Sequence, residues 1–102
     1  MVGRAASTRH HRGVARIVFT QQLRRFTATP ELSTPAPTLR AALEAAFALN
    51  PALRGYVLDD QGHMRRNVVA FIDGRRCLER VRLDAPLQPD SQVHVLQALS
   101  GG

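Results

Sequence analysis

The sequence predicts an α+β fold, with one helix laid across one face of a single mixed sheet. Three observations predict it. Residues 38–49 are the one long Ala- and Leu-rich stretch, with apolar residues at helical spacing. Apolar runs of strand character flank that stretch on both sides, at residues 15–20, 67–72 and 92–99. A single helix can cover only one face of one sheet, so the strands belong to one layer.

The elements follow in order. Residues 15–20 alternate, placing Ile17 and Phe19 on one face of a first strand. Residues 23–29 read as a turn into a second strand, close enough to the first to make a hairpin. Residues 33–37 read as a loop, because Pro35 and Pro37 oppose regular pairing. Thr38 is placed as an N-cap. Leu39, Ala42, Leu43, Ala46 and Phe47 then form one apolar helical face, and Asn50 with Pro51 stops the helix.

Asp59, Asp60, Gln61 and Gly62 form a polar turn. Residues 67–72 are apolar on both faces, as an inner strand would be. Asp73 and Gly74 signal a tight hairpin, with a short return strand at residues 76–78. Residues 83–89 are a loop containing Leu87, Pro89 and Asp90 make a turn, and residues 92–99 are the last strand. Val93 and Val95 are assigned inward. His94, Leu96 and Ala98 then face outward, with Val18 beside them on the first strand. The inward register is expected to end by Gln97.

The order is β-β-α-β-β-β, with the first and last strands paired centrally in a four- to five-stranded sheet, the plan of the ubiquitin-like β-grasp fold. The expected organisation is a basic disordered arm at residues 1–13, a folded domain at 14–99, and a flexible tail at 100–102. No internal repeat is visible.

Composition limits the function. The 102 residues are 44% apolar, enough for one modest core. No stretch approaches the roughly 18 apolar residues of a membrane span. Residues 1–7 are not followed by the apolar core of a secretory leader. A lone cysteine, Cys77, excludes an internal disulfide and suits a reducing compartment, so a cytoplasmic location is expected. All fourteen basic residues are Arg, and there is no Lys. No side-chain amine here can accept an isopeptide bond.

Half of the net charge of +6 sits on residues 1–13, which carry Arg4, Arg9 and Arg12 without an acid. That arm is either an electrostatic hold on nucleic acid or an acidic partner, or a solvated extension. It lacks interleaved aromatics for base stacking, which argues against nucleic acid.

No constellation for chemistry on this chain is evident. His10, His11, His63 and His94 have no metal-ligand spacing with Cys77 or the acids. Cys77 has no His nearby in sequence. Arg24 with Arg25, Arg65 with Arg66, and Arg75 with Arg76 read as solvated faces, some able to meet an acidic partner. No Gly-rich phosphate loop is present. The informative feature is the ending, Ser100, Gly101 and Gly102, directly after the last strand. Two glycines add no side chains, so they make a thin thread tipped by a carboxylate.

The chain resembles the MoaD/ThiS family of sulfur-carrier proteins over about residues 15–102. The resemblance rests on the strand order, the helix from Thr38 to Ala45, and Phe71, Ile72, Asp73 and Gly74 at the hairpin. It also rests on Leu87, Gln88, Pro89 and Asp90 before the last strand, and on Gly101 and Gly102. Ubiquitin shares this fold and ending but has Arg where this chain has Ser100. The segment from Tyr56 to Arg66 looks longer than in the shortest family members.

The resemblance implies a protein co-substrate rather than an enzyme, or the small subunit of a sulfur-transfer enzyme such as molybdopterin synthase. It implies a MoeB/ThiF-like adenylating partner that uses ATP and magnesium to activate the Gly102 carboxylate. A sulfur donor then leaves a thiocarboxylate on Gly102. A sulfur-accepting synthase of molybdopterin, thiamin or cysteine type would consume it. This chain would bind no cofactor and no metal itself. Gly102 with Gly101 would be the reactive end, and Val18, His94, Leu96, Ala98 and Ser100 would meet the partner. The alternatives are a ubiquitin-like modifier joined through Gly102 to lysines of other proteins, and a plain β-grasp binding module.

Overall fold

Strand β1 (Ala15–Phe19) buries Ala15, Ile17 and Phe19 and turns Arg16 and Val18 to the opposite face, as its alternation predicts. The structure, a computed structural model, describes residues 14–20, 27–29 and 31–97. The arm at 1–13, Arg24 and Arg25, and the last five residues from Ala98 to Gly102 lie outside the described residues.

The last strand, β5 (Gln92–Gln97), runs parallel to β1, with Ile17 opposite Val93 and Phe19 opposite Val95. On its other side β5 is antiparallel to β3 (Val68–Ile72), from Ile72 opposite Val93 to Val68 opposite Gln97. With β2 (Leu32–Thr34) and β4 (Arg75–Arg76) at the edges, the sheet order is β2-β1-β5-β3-β4. The first and last strands are therefore neighbours at the centre. Val93 and Val95 are fully buried, and the ladder continues through Gln97.

The partner of β1 comes later in the chain than the sequence suggests. β2 pairs Leu32 with Ile17, Ser33 with Arg16 and Thr34 with Ala15. Thr27, Ala28 and Thr29 are not strand, and the rest of the expected second strand lies outside the described residues. The expectation of a loop at 33–37 fails at Ser33 and Thr34. Pro35 follows the last paired residue, so the prolines end the ladder rather than prevent it.

Helix α1 (Leu39–Leu49) starts where expected. Thr38 Oγ1 accepts the Ala41 N–H at 3.2 Å and so satisfies one of the free donors of the first turn. Its buried face is Leu39, Ala42, Leu43, Ala46 and Phe47. These pack with Ile17, Phe19, Val68, Ala70, Val93 and Val95 into one core. Each fully buried Leu or Val contributes about 1.5–3 kcal/mol relative to exposure.

Asn50 and Pro51 end α1, but they also begin a second helix, α2 (Pro51–Val57), that the sequence reading did not include. Pro51 occupies the first turn, where its missing N–H costs nothing. Arg54 on α2 reaches back to both oxygens of Glu44 on α1 at 2.8 Å and lies 5.6 Å above the Phe47 ring. Leu53 and Val57 extend the core beneath it. No helix among the described residues is long and apolar enough to cross a membrane.

Candidate functional site

The helices cover one face of the sheet, and period two leaves the other face to Val18, His94, Leu96, Val69 and Phe71. The register brings these five residues together. His94 on β5 is flanked by Val18 on β1 and by Phe71 on β3. One step up the ladder, Leu96 pairs with Val69. His94 is exposed, while Val18, Val69, Phe71 and Leu96 are half-buried. An apolar strip with one imidazole at its centre therefore spans the three inner strands on the side opposite the described helices.

The strip adjoins the point where the described chain stops. β5 ends at Gln97, opposite Val68, the first residue of β3. Thr20, just past β1, donates its N–H to the Val95 carbonyl at 3.0 Å and so holds the same end of the central pair. Val18, His94 and Leu96 thus stand together as the sequence places them. Ala98, Ser100, Gly101 and Gly102 lie outside the described residues. Val69 and Phe71 were missed as surface residues. Their signal was present, because the run at 67–72 is apolar on both faces and only one face can meet the core.

Away from this strip, Asp59 and Cys77 both bond to the backbone. The Asp59 carboxylate accepts the N–H groups of His63 at 3.0 Å and Gln61 at 2.9 Å, closing its turn. The His63 N–H and, less strongly, the Gln61 N–H hold that carboxyl below its ordinary value. The Cys77 thiol is half-buried and lies 3.5 Å from the Glu79 carbonyl. Among the described residues no group of His, Cys, Asp and Glu could hold a metal ion. What this arrangement offers is a binding face beside a strand end.

No protein-family model matches the sequence, and no curated protein matches it significantly. Solved structures do match the fold. The crystal structure of SAMP1 from Haloferax volcanii aligns over 87% of this chain and 99% of its own, with a TM-score of 0.71 at 17% identity. The solution structure of small archaeal modifier protein 1 from Methanosarcina acetivorans aligns over 90% and 99%, with a TM-score of 0.66 at 20% identity. The H. volcanii HVO 2177 protein aligns over 87% and 86%, with a TM-score of 0.64 at 18% identity. This chain therefore has the ubiquitin-like β-grasp fold.

Proposed function

We propose that this chain is a sulfur carrier of the MoaD/ThiS kind, a protein co-substrate whose Gly102 carboxylate is activated by a separate enzyme. One observation carries the reading. β5 is the central strand of the sheet, paired with β1 through Val95 and with β3 through Gln97, and the sequence closes five residues later on Ser100, Gly101 and Gly102. A paired strand leading to a tip of two glycines without side chains is what entry into another enzyme's narrow cleft requires. Fully extended, residues 100–102 reach on the order of 10 Å.

The chemistry follows from the carboxylate. Its negative charge opposes attack by a nucleophile, so it must first be neutralised and given a leaving group. An adenylating partner supplies both by joining Gly102 to AMP from ATP, with magnesium held by the partner and pyrophosphate released. A sulfur donor then displaces AMP and leaves a thiocarboxylate, which passes its sulfur to an intermediate of molybdopterin, thiamin or cysteine type. The contribution of this chain is positional. The strip of Val18, Val69, Phe71 and Leu96 around His94 meets the partner, while Gly101 and Gly102 enter its site.

A second reading, conjugation of Gly102 to lysines of other proteins, is favoured by the name of the structural neighbours, small archaeal modifier protein 1. The two readings share the activation step. The test is to incubate the chain with ATP, magnesium, sulfide and an adenylating enzyme that acts on a control carrier, then to weigh it intact. Exchange of one oxygen for one sulfur supports the carrier. An unchanged mass overturns it, and Gly102 found on foreign lysines establishes the modifier.

A further inference from the structure

Strand β4 leaves hydrogen-bonding capacity open at the sheet's edge. The β3–β4 hairpin turns at Asp73 and Gly74, both at positive φ (53° and 83°). Ile72 pairs with Arg75, Phe71 pairs with Arg76, and the Cys77 N–H donates to the Ala70 carbonyl at 2.8 Å. In an antiparallel ladder the residue between two bonded pairs turns its own N–H and C=O away from the partner strand. Arg76 is that residue. β4 is the last strand in the order, and no described residue bonds the Arg76 backbone on its open side.

Other features converge on this edge. Arg75 and Arg76 are exposed, and neither guanidinium has a carboxylate partner among the described residues. Leu78 is 80% exposed and Val81 52%. A groove of about 560 Å³ opens beside the strand, lined by Ile72, Cys77, Ala85 and Pro86 together with the two arginines and Asp73. Residues 64–82 hold six Arg against two acids, Asp73 and Glu79. Both carboxylates are occupied, Asp73 by Ser91 Oγ and the Gln92 N–H, Glu79 by the N–H groups of residues 81–83.

We propose that the Arg75–Leu78 edge takes an extended acidic segment of a partner protein as an added strand. The segment's backbone bonds Arg76. Arg75 shares the face of Ile72 and Arg76 the face of Phe71, so successive carboxylates meet one guanidinium on each side of the sheet. An apolar side chain of the segment covers Leu78. A second copy of this chain is a poor occupant, because pairing β4 with β4 would set like charges against each other. A nucleic acid would use the guanidinium groups but neither the open backbone nor Leu78. This docking site does not involve Gly102, so it stands or falls separately from the carrier chemistry.

The probe is a fluorescein-labelled octapeptide repeating Glu-Glu-Val-Val, which puts adjacent carboxylates on opposite faces and an apolar residue two positions on, titrated against the full chain by anisotropy and by amide NMR. Binding should shift the Ile72, Arg76 and Cys77 amides and slow hydrogen exchange at the Arg76 N–H. The double variant Arg75→Glu/Arg76→Glu should weaken binding at least about tenfold, and Leu78→Ser about threefold. Both sites are exposed, and retained amide dispersion shows that each variant folds. The proposal is overturned by any of four results: no binding, equal binding of a peptide repeating Lys-Lys-Val-Val, shifts centred on Val18 and His94 instead, or competition by a single-stranded RNA that leaves the Arg76 N–H unprotected.

Discussion

Glu79 Oε1 accepts the Leu83 N–H at 2.5 Å, and Leu83 itself is fully buried with its backbone in the left-handed region (φ 56°). The other carboxylate oxygen takes the N–H groups of Val81 at 2.9 Å and Arg82 at 2.6 Å. One side chain thus gathers three successive donors, and the strained backbone that results aims Leu83 into the core. Leu83→Ala should cost about 2–5 kcal/mol, because it opens a cavity without relieving the positive φ. Urea unfolding of the purified variant measures it.

The same contact makes stability depend on acid. The Arg82 N–H above all, and then those of Leu83 and Val81, hold the Glu79 carboxyl below its ordinary value of 4.5. A carboxyl lowered in the folded state stabilises fully above its unfolded value and loses that contribution as pH falls through the lower, folded one. Tm should therefore decline as pH drops below 4.5, and Glu79→Gln should flatten part of that decline while lowering Tm at neutral pH. Thermal melts at intervals from neutral to acid pH, for both proteins, check the sign.

Arg40 joins two loops to α1. Its Nη2 donates to the carbonyls of Gly62 at 2.8 Å and Val81 at 3.0 Å, and its Nε to Arg82 at 3.1 Å. A lysine has no planar fork to meet three carbonyls at once. Arg40→Lys should cost about 1–2 kcal/mol. Hydrogen exchange should also quicken at the Gly62 and Met64 amides, which bond within and between those loops.

These contacts also mark where the sequence was legible. Alternation at Ile17 and Phe19, the apolar face from Leu39 to Phe47, and Val93 with Val95 are periodic signals, and each appears in the core. The outer strip was partly legible, since Val18, His94 and Leu96 follow from the same parity. Phe71 and Val69 did not follow, because a run apolar on both faces does not say which face meets the helix. Strand β2 was misplaced because three residues, Leu32 to Thr34, carry too little pattern to outweigh two adjacent prolines. Arg40 and Glu79 were invisible as organisers, because their partners are backbone groups brought near only by the fold.

Asn50 carries two helix ends. Its N–H closes α1 on the Ala46 carbonyl at 3.1 Å, and its Oδ1 opens α2 by accepting the Ala52 N–H at 3.2 Å. Its Nδ2 donates to Thr27 Oγ1 at 2.8 Å and the Ala28 carbonyl at 2.6 Å. Asn50→Ala removes the side-chain bonds together and should cost about 0.5–2 kcal/mol. Asn50→Asp should recover the α2 cap but not the two Nδ2 bonds, falling between the two proteins in a denaturant series.

Substitutions at His94 and Val95 separate the outer face from the core. His94 is exposed at the centre of the strip, so His94→Glu should leave Tm nearly unchanged. Val95, its neighbour in sequence, is fully buried, and Val95→Ala should destabilise the fold while leaving the face intact. If the strip meets the adenylating partner, His94→Glu puts a charge within an apolar contact and should slow formation of the Gly102 acyl-adenylate by about tenfold or more. Val95→Ala should keep a near-normal rate at temperatures where it remains folded. Pyrophosphate release, measured against chain concentration, reads both. Loss in His94→Glu should appear as a raised KM for the chain, because the substitution weakens association and leaves the carboxylate chemistry untouched. Equal rates for His94→Glu and the unaltered chain would remove this face from the proposed encounter.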